Sequence, residues 1–237
     1  MSMFITHSDN AVSLYSVDSR GLEQWLETAD PLQARWVQAT GFRPERGRWL
    51  AVPGSDGELA CVLAGRESDD RLWALAHLPS VLPDGDYCFE ADWSNEELQR
   101  ARIGFGLGGY RFDRYKPAPE RQVRLVVPEQ DLPELEVLVD ASCYVRDLVN
   151  TPALDLGPAE LADSARELAE SCGAQFEVIE GERLEREFPA IHVVGQASSR
   201  PPCLIRLQWG EADAPPLALV GKGVIFDSGG LDIKPGA

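Results

Sequence analysis

The sequence predicts an α/β protein: a mixed α/β N-terminal domain, a connecting helix, and the start of a second α/β domain with a partly parallel sheet. Three observations carry that prediction. Short strand-like apolar runs alternate with stretches whose apolar residues recur every three or four positions. One such helical stretch, about four to five turns long, stands between the two α/β parts. Turn-forming Pro, Gly, Asn and Asp punctuate the runs at regular intervals.

The elements follow in chain order. VDSRGLEQWLETA places Leu22, Trp25 and Leu26 on one helical stripe, with Ser19 as the expected N-cap. RWLAVPGSDGELACVLAG reads as two strands around a Pro-Gly-Ser-Asp-Gly turn. RLWALAHLPSVLP starts strand-like and ends at a proline turn. SNEELQRARIGFGLGGYRF opens a helix, with Ser94 and Glu97 spaced as a capping box. The Pro- and charge-rich DRYKPAPERQ and the strand candidate VRLVVP then close a first domain, 1–130.

The connecting helix, 131–151, carries Leu135, Leu138, Ala141, Val145 and Leu148 on one stripe and stops at Asn150-Thr151-Pro152. A second domain, 152–237, begins with a helix from Pro158 to Gly173 that presents Leu161, Ala162, Ala165, Leu168 and Ala169. QFEVIE, IHVVG, CLIRLQW and PLALVG are its strand candidates.

Composition narrows the function. The 237 residues carry a net charge of −17, which disfavours nucleic acid or an anionic membrane as partner. MSMFITHSDNAV lacks the features of a signal peptide, and no apolar run approaches the roughly 18–20 residues of a membrane span. Cys61, Cys88, Cys143, Cys172 and Cys203 have no CxxC spacing, so the expectation is buried free thiols in a reducing cytoplasm. His7, His77 and His192 are too far apart to form a motif.

The chemistry is concentrated in PLALVGKGVIFDSGGLDIKPGA. An apolar strand candidate delivers Gly221-Lys222-Gly223 at its C-terminal end, the edge at which open α/β sheets bind ligands. Asp227, five residues on, is a hard oxygen donor suited to a divalent cation, and Lys234 follows seven residues later. Residue types alone leave a glycine-rich structural connection as an equal alternative.

GKGVIFDSGGLDIKP resembles the metal-site motif of the M17 leucyl (cytosol) aminopeptidases. RDLVNTPALDLGPAELA, FPAIHVVGQASSRPPCLIRLQW and, more loosely, GFGLGGYRFDRYK are also similar to segments of that family. The resemblance implies a metallo-aminopeptidase fold and the removal of N-terminal, leucine-type residues from peptides. It implies that Lys222 ligates one metal through its neutral amine, which requires the cation to displace the ammonium proton. Asp227 would bridge two divalent metals, Mn or Zn, and Lys234 would polarise the scissile carbonyl and stabilise the oxyanion. A bicarbonate near the metals, a cytoplasmic location and a homohexamer are implied in the same way.

The family pattern also requires an Asp shortly after the second lysine, a later Asp-x-Glu pair and an arginine for the bicarbonate; none follows Lys234 in these residues. The expectation is the N-terminal part of such an enzyme, inactive by itself, because two ligands do not hold two metals. Two other patterns compete. IFDSGGL with LAH at 75–77 mimics a serine-protease site of Ser228 and His77, which the helical patterning excludes. GFGLGGY has glycines at dinucleotide-loop intervals but follows a helical segment instead of a strand. The alternative of another class is a non-catalytic binding or assembly module built from the first domain.

Overall fold

The computed structural model describes residues 2–66, 70–117 and 119–224, in two compact units, Met1–Arg146 and Asp147–Ala237. The mixed α/β class is observed, with a largely parallel sheet in the first unit.

In the first unit the chain forms β1 (Phe4–Ile5), β2 (Val12–Val17), α1 (Ser19–Thr28), α2 (Pro31–Thr40), β3 (Trp49–Pro53), β4 (Leu59–Gly65), β5 (Gly85–Glu90), α3 (Asn95–Gly108), β6 (Val123–Val126) and α4 (Leu132–Asn150). The helix α4 runs across the boundary between the units. The sheet order is β1-β6-β5-β2-β4-β3. Within this sheet only the β3–β4 hairpin pairs antiparallel among the described strands. Helices cover both faces, which is why β4 reads as an unbroken apolar run. Its Val62 and Ala64 join Leu14, Tyr87, Phe105 and Leu135 in one core, while Cys61 and Leu63 join Val17, Val37 and Val52 in the other.

Local signals held where partners are near in sequence. The Ser94 hydroxyl accepts from Glu97 N at 3.3 Å, and Glu97 accepts from Ser94 N at 3.0 Å, the two halves of a capping box. The N-cap of α1 is Asp18, one residue before the expected Ser19. Its carboxylate accepts from Gly21 N at 2.8 Å, and Ser19 itself is the first helical residue. The sequence reading missed β1, β2, α2 and β5, whose runs are short or interrupted by polar residues.

Two expectations in this unit are corrected by packing. The stretch 71–83 forms no strand: it turns through a 3-10 segment at Leu78–Ser80 and buries Leu75, Leu78 and Leu82 completely. It lies against α3, where a Cβ at Gly104 would overlap the Leu72 carbonyl and one at Gly108 the Ala76 carbonyl. Gly104 and Gly108 of GFGLGG therefore form one glycine face of a helix, shaped for close backbone approach. On α4 the buried residues are Leu135 and Val139, with Cys143 packed nearby, whereas Leu138 is 41% and Val145 56% exposed. The face is rotated from the expected stripe because Val139 seats at the Gly106 notch, 2.7 Å from where a Cβ there would lie.

The second unit contains α5 (Pro158–Cys172), β7 (Gln175–Ile179), α6 (Gly181–Glu187), α7 (Pro189–Gly195) and β8 (Leu204–Gln208). The helix α5 starts at its proline and ends at Gly173, which adopts the left-handed φ of 67° that favours glycine. The described strands of this unit, β7 and β8, pair antiparallel. IHVVG is helical, not a strand: Pro189 takes the first helical position and Val193 and Val194 remain exposed. PLALVG is likewise not a strand. It has no ladder partner among the described residues, and Leu217, Leu219 and Val220 are 86%, 90% and 96% exposed.

Candidate functional site

Of the three residues singled out in the closing motif, Lys222 lies within the described part and Asp227 and Lys234 lie outside it, as does Ser228. Gly221-Lys222-Gly223 has no regular secondary structure and is exposed. Gly223 passes beside α5, where a Cβ on it would be in ordinary contact, 3.5 Å, with Leu161 Cδ2. Lys222 is therefore presented next to the first turns of α5, not at the end of a paired strand.

The start of α5 is itself tightly held. Glu160 accepts from Gly157 N at 2.8 Å, closing the amino end of the helix. Arg200, 40 residues along the chain, donates Nη2 to the same carboxylate oxygen at 2.8 Å and Nη1 to the Ala153 carbonyl. Its guanidinium lies so close to Gly157 that a Cβ there would overlap it. Hydrogen bonds from its own backbone and from Gly157, with Arg200 alongside, hold the Glu160 carboxyl below the usual range. The spacing of Glu160 after Gly157-Pro158 was a legible sign of the cap; nothing in the sequence pointed to Arg200.

In the first unit the connections change direction at the carboxyl edge of the parallel strands, between β2 and β5, where open α/β sheets bind ligands. The chain's own side chains fill it. Arg66 pairs with Asp18 at 2.7 Å and Arg71 with Glu97 at 2.9 Å, and the two guanidiniums lie 5.5 and 4.4 Å from the Trp93 ring. Both arginines are largely buried, so this edge is closed by internal ion pairs and an indole.

The remaining metal- and acid–base-type residues do not converge. Among the described residues no group of three or more His, Cys, Asp and Glu could hold a metal. His7 is exposed beside Asp9 at 3.0 Å, and burial with Arg46 nearby lowers the pKa of His77. The five cysteines are free, as expected. Cys61 is buried and pushed up to about 11 by desolvation. Cys172 departs from the expectation: it is exposed, at the last position of α5.

Comparison with known proteins decides the family. A model of the M17 aminopeptidase N-terminal domain matches residues 12–128, and one of the cytosol aminopeptidase family catalytic domain matches 143–237. The chain belongs to the M17 cytosol aminopeptidase family. A relative named "Probable cytosol aminopeptidase" in Syntrophotalea carbinolica is 42% identical over 181 residues, 69% of this chain and 34% of the relative. Another of the same name in Nocardia farcinica is 38% identical over 255 residues, 98% of this chain and 50% of the relative. The chain thus spans a third to a half of the length of these M17 relatives.

The crystal structure of cytosol aminopeptidase from Coxiella burnetii aligns with a TM-score of 0.84 at 35% identity, covering 90% of this chain and 47% of that one. The bottromycin maturation enzyme BotP, solved in complex with Mn, aligns with a TM-score of 0.69 at 25% identity, over 87% of this chain and 46% of that one. The closing motif falls in the stretch that the catalytic-domain model matches, and the glycines of GFGLGG are explained by packing. No helix among the described residues is long and apolar enough to cross a membrane.

Proposed function

We propose that this chain contributes the N-terminal domain and the first metal ligands of a two-metal aminopeptidase that removes leucine-type residues from peptide amino termini. The observation that carries the reading is GKGVIFDSGGLDIKP, within the stretch that matches the family's catalytic domain. Residues 1–130 form the N-terminal domain, 131–151 the connecting helix and 152–237 the beginning of the catalytic domain.

Lys222 and Asp227 are the metal ligands in this reading, and Lys234 acts on substrate. An amine and a carboxylate are a nitrogen and hard-oxygen set that suits Mn or Zn. The placement of Lys222 supports the assignment, since its exposed side chain stands between glycines that leave room for a cation. When bound, the metals supply a binding point for the substrate amine and a water acidified for attack. Lys234, as a fixed cation, stabilises the negative charge that develops on the scissile carbonyl oxygen.

Two protein ligands are fewer than the three or four that a working site takes, so these 237 residues alone do not hydrolyse peptides. The complete enzyme is a cytoplasmic homohexamer in this reading. Titration of the protein with Mn²⁺, followed by the loss of the free-ion paramagnetic resonance signal, tests the ligands directly. Asp227→Asn and Lys222→Ala should each weaken retention at least tenfold; variants that bind like the parent refute the assignment. A leucine p-nitroanilide assay of the same protein should show no turnover above buffer with metal.

A further inference from the structure

A groove of about 840 Å³ opens at the amino ends of β2, β4 and β5, the sheet edge opposite the Arg66–Trp93 cluster. That volume lies within the roughly 300–1,000 Å³ of ligand pockets. One wall is Trp36 of α2. Its Nε1 donates to the Ala51 carbonyl of the edge strand β3 at 3.0 Å, so the ring is held in place while the residue stays 44% exposed. Tyr87 forms part of the wall, and its hydroxyl is tied to the Pro83 carbonyl at 2.9 Å.

The charged groups that line the groove have one sign. Glu58, Asp84 and Asp86 line it, and no Lys, Arg or His does. Asp86 is neutralised by Arg124 at 2.7 Å. Asp84 accepts from Gln122 N at 3.1 Å, which fixes the carboxylate, and neither it nor Glu58 has an ion pair among the described residues. A fixed indole in one groove with two carboxylates that make no ion pair among the described residues is suited to a cation carried on an apolar stem, and the groove repels phosphates and nucleic acid.

We propose that this groove docks an extended basic peptide, its arginine or lysine cation paired with Glu58 and Asp84 and its stem laid on Trp36. The proposal does not depend on the aminopeptidase reading, because every residue involved lies in the first unit.

The test uses the whole chain labelled with 5-fluorotryptophan, whose six fluorine resonances report the six tryptophans separately. Trp36→Phe assigns the relevant signal. Acetyl-Gly-Arg-Gly-amide should shift the Trp36 resonance with a midpoint on the order of 1 mM, and its citrulline twin, equal in shape but uncharged, should not. Asp84→Asn keeps the acceptor for Gln122, and with Glu58→Gln it should weaken binding about three- to tenfold while the other five resonances stay in place. A Trp36 signal that does not move at about 10 mM peptide overturns the proposal, as does one that moves equally with citrulline.

Discussion

Gly104 of α3 offers the sharpest test of why this domain folds as it does. Alanine at a helix interior is intrinsically better than glycine by about 1 kcal/mol. In an exposed helix Gly104→Ala would therefore stabilise. Here the new methyl overlaps the Leu72 carbonyl, a backbone atom that no side-chain rotation can move away. Relief requires α3 to lift from the 72–76 segment, which loosens the packing around Leu75 and Leu78, both 0% exposed. Overpacking of this kind costs typically about 1–3 kcal/mol, and partly exposing one leucine adds about 1–2 kcal/mol. After the helix gain is subtracted, net destabilisation is about 1–4 kcal/mol, or about 2–16 °C in Tm for a chain of this size. Urea denaturation followed by circular dichroism, with the slope unchanged, measures it. Gly106→Ala tests the neighbouring contact. Its methyl would meet Val139 Cγ2 at 2.7 Å and Phe4 Cζ at 2.9 Å, both on buried side chains and the first on a valine that is stiff in a helix. It should also destabilise, by about 1–3 kcal/mol. If Gly104→Ala is as stable as the parent, the close-approach account of GFGLGG is wrong.

Other outcomes follow from the same geometry. Gly157→Ala should displace the Arg200 guanidinium and destabilise the second unit by about 1 kcal/mol, and adding Arg200→Ala should cost little more, because both remove one interaction; additive losses in a double-mutant cycle would separate them. The Asp18 carboxyl is held below its ordinary value of 3.8 by the hydrogen bond from Gly21, with Arg66 contributing. Its contribution is therefore present in full above that pH and is lost as pH falls through the lower folded value. Asp18→Ala should lose about 1 kcal/mol at pH 7 and flatten that acid limb of the stability profile. Native-state reaction with a disulfide reagent should modify Cys172 first and Cys61 only on unfolding, since Cys61 is buried and its pKa is about 11; rapid loss of the Cys61 thiol in the folded protein would contradict the packing.

What was legible in the sequence was decided by neighbours along the chain. Ser94 and Glu97 are three residues apart, and their spacing alone specifies the cap of α3. The Pro158 and Gly173 ends of α5 and the turn between β3 and β4 are local in the same sense. The closing motif is equally local: the contiguous string GKGVIFDSGGLDIKP carries the resemblance without coordinates, and it falls in the stretch that the family's catalytic-domain model matches.

The tertiary structure decided what depends on distant partners. IHVVG and RLWALAHL carry apolar, strand-favouring runs, yet one becomes a helix behind Pro189 and the other a buried turn against the glycines of α3. The inward face of α4 is chosen by the Gly106 notch, about 30 residues earlier in the chain. Arg200 meets Glu160 across the intervening β7, α6 and α7. Trp36, Glu58 and Asp84 share a groove because the order β5-β2-β4-β3 brings three separate segments to one sheet edge. Periodicity records whether a residue prefers water or a core; which core, and beside which partner, is set by long-range packing that no local window contains.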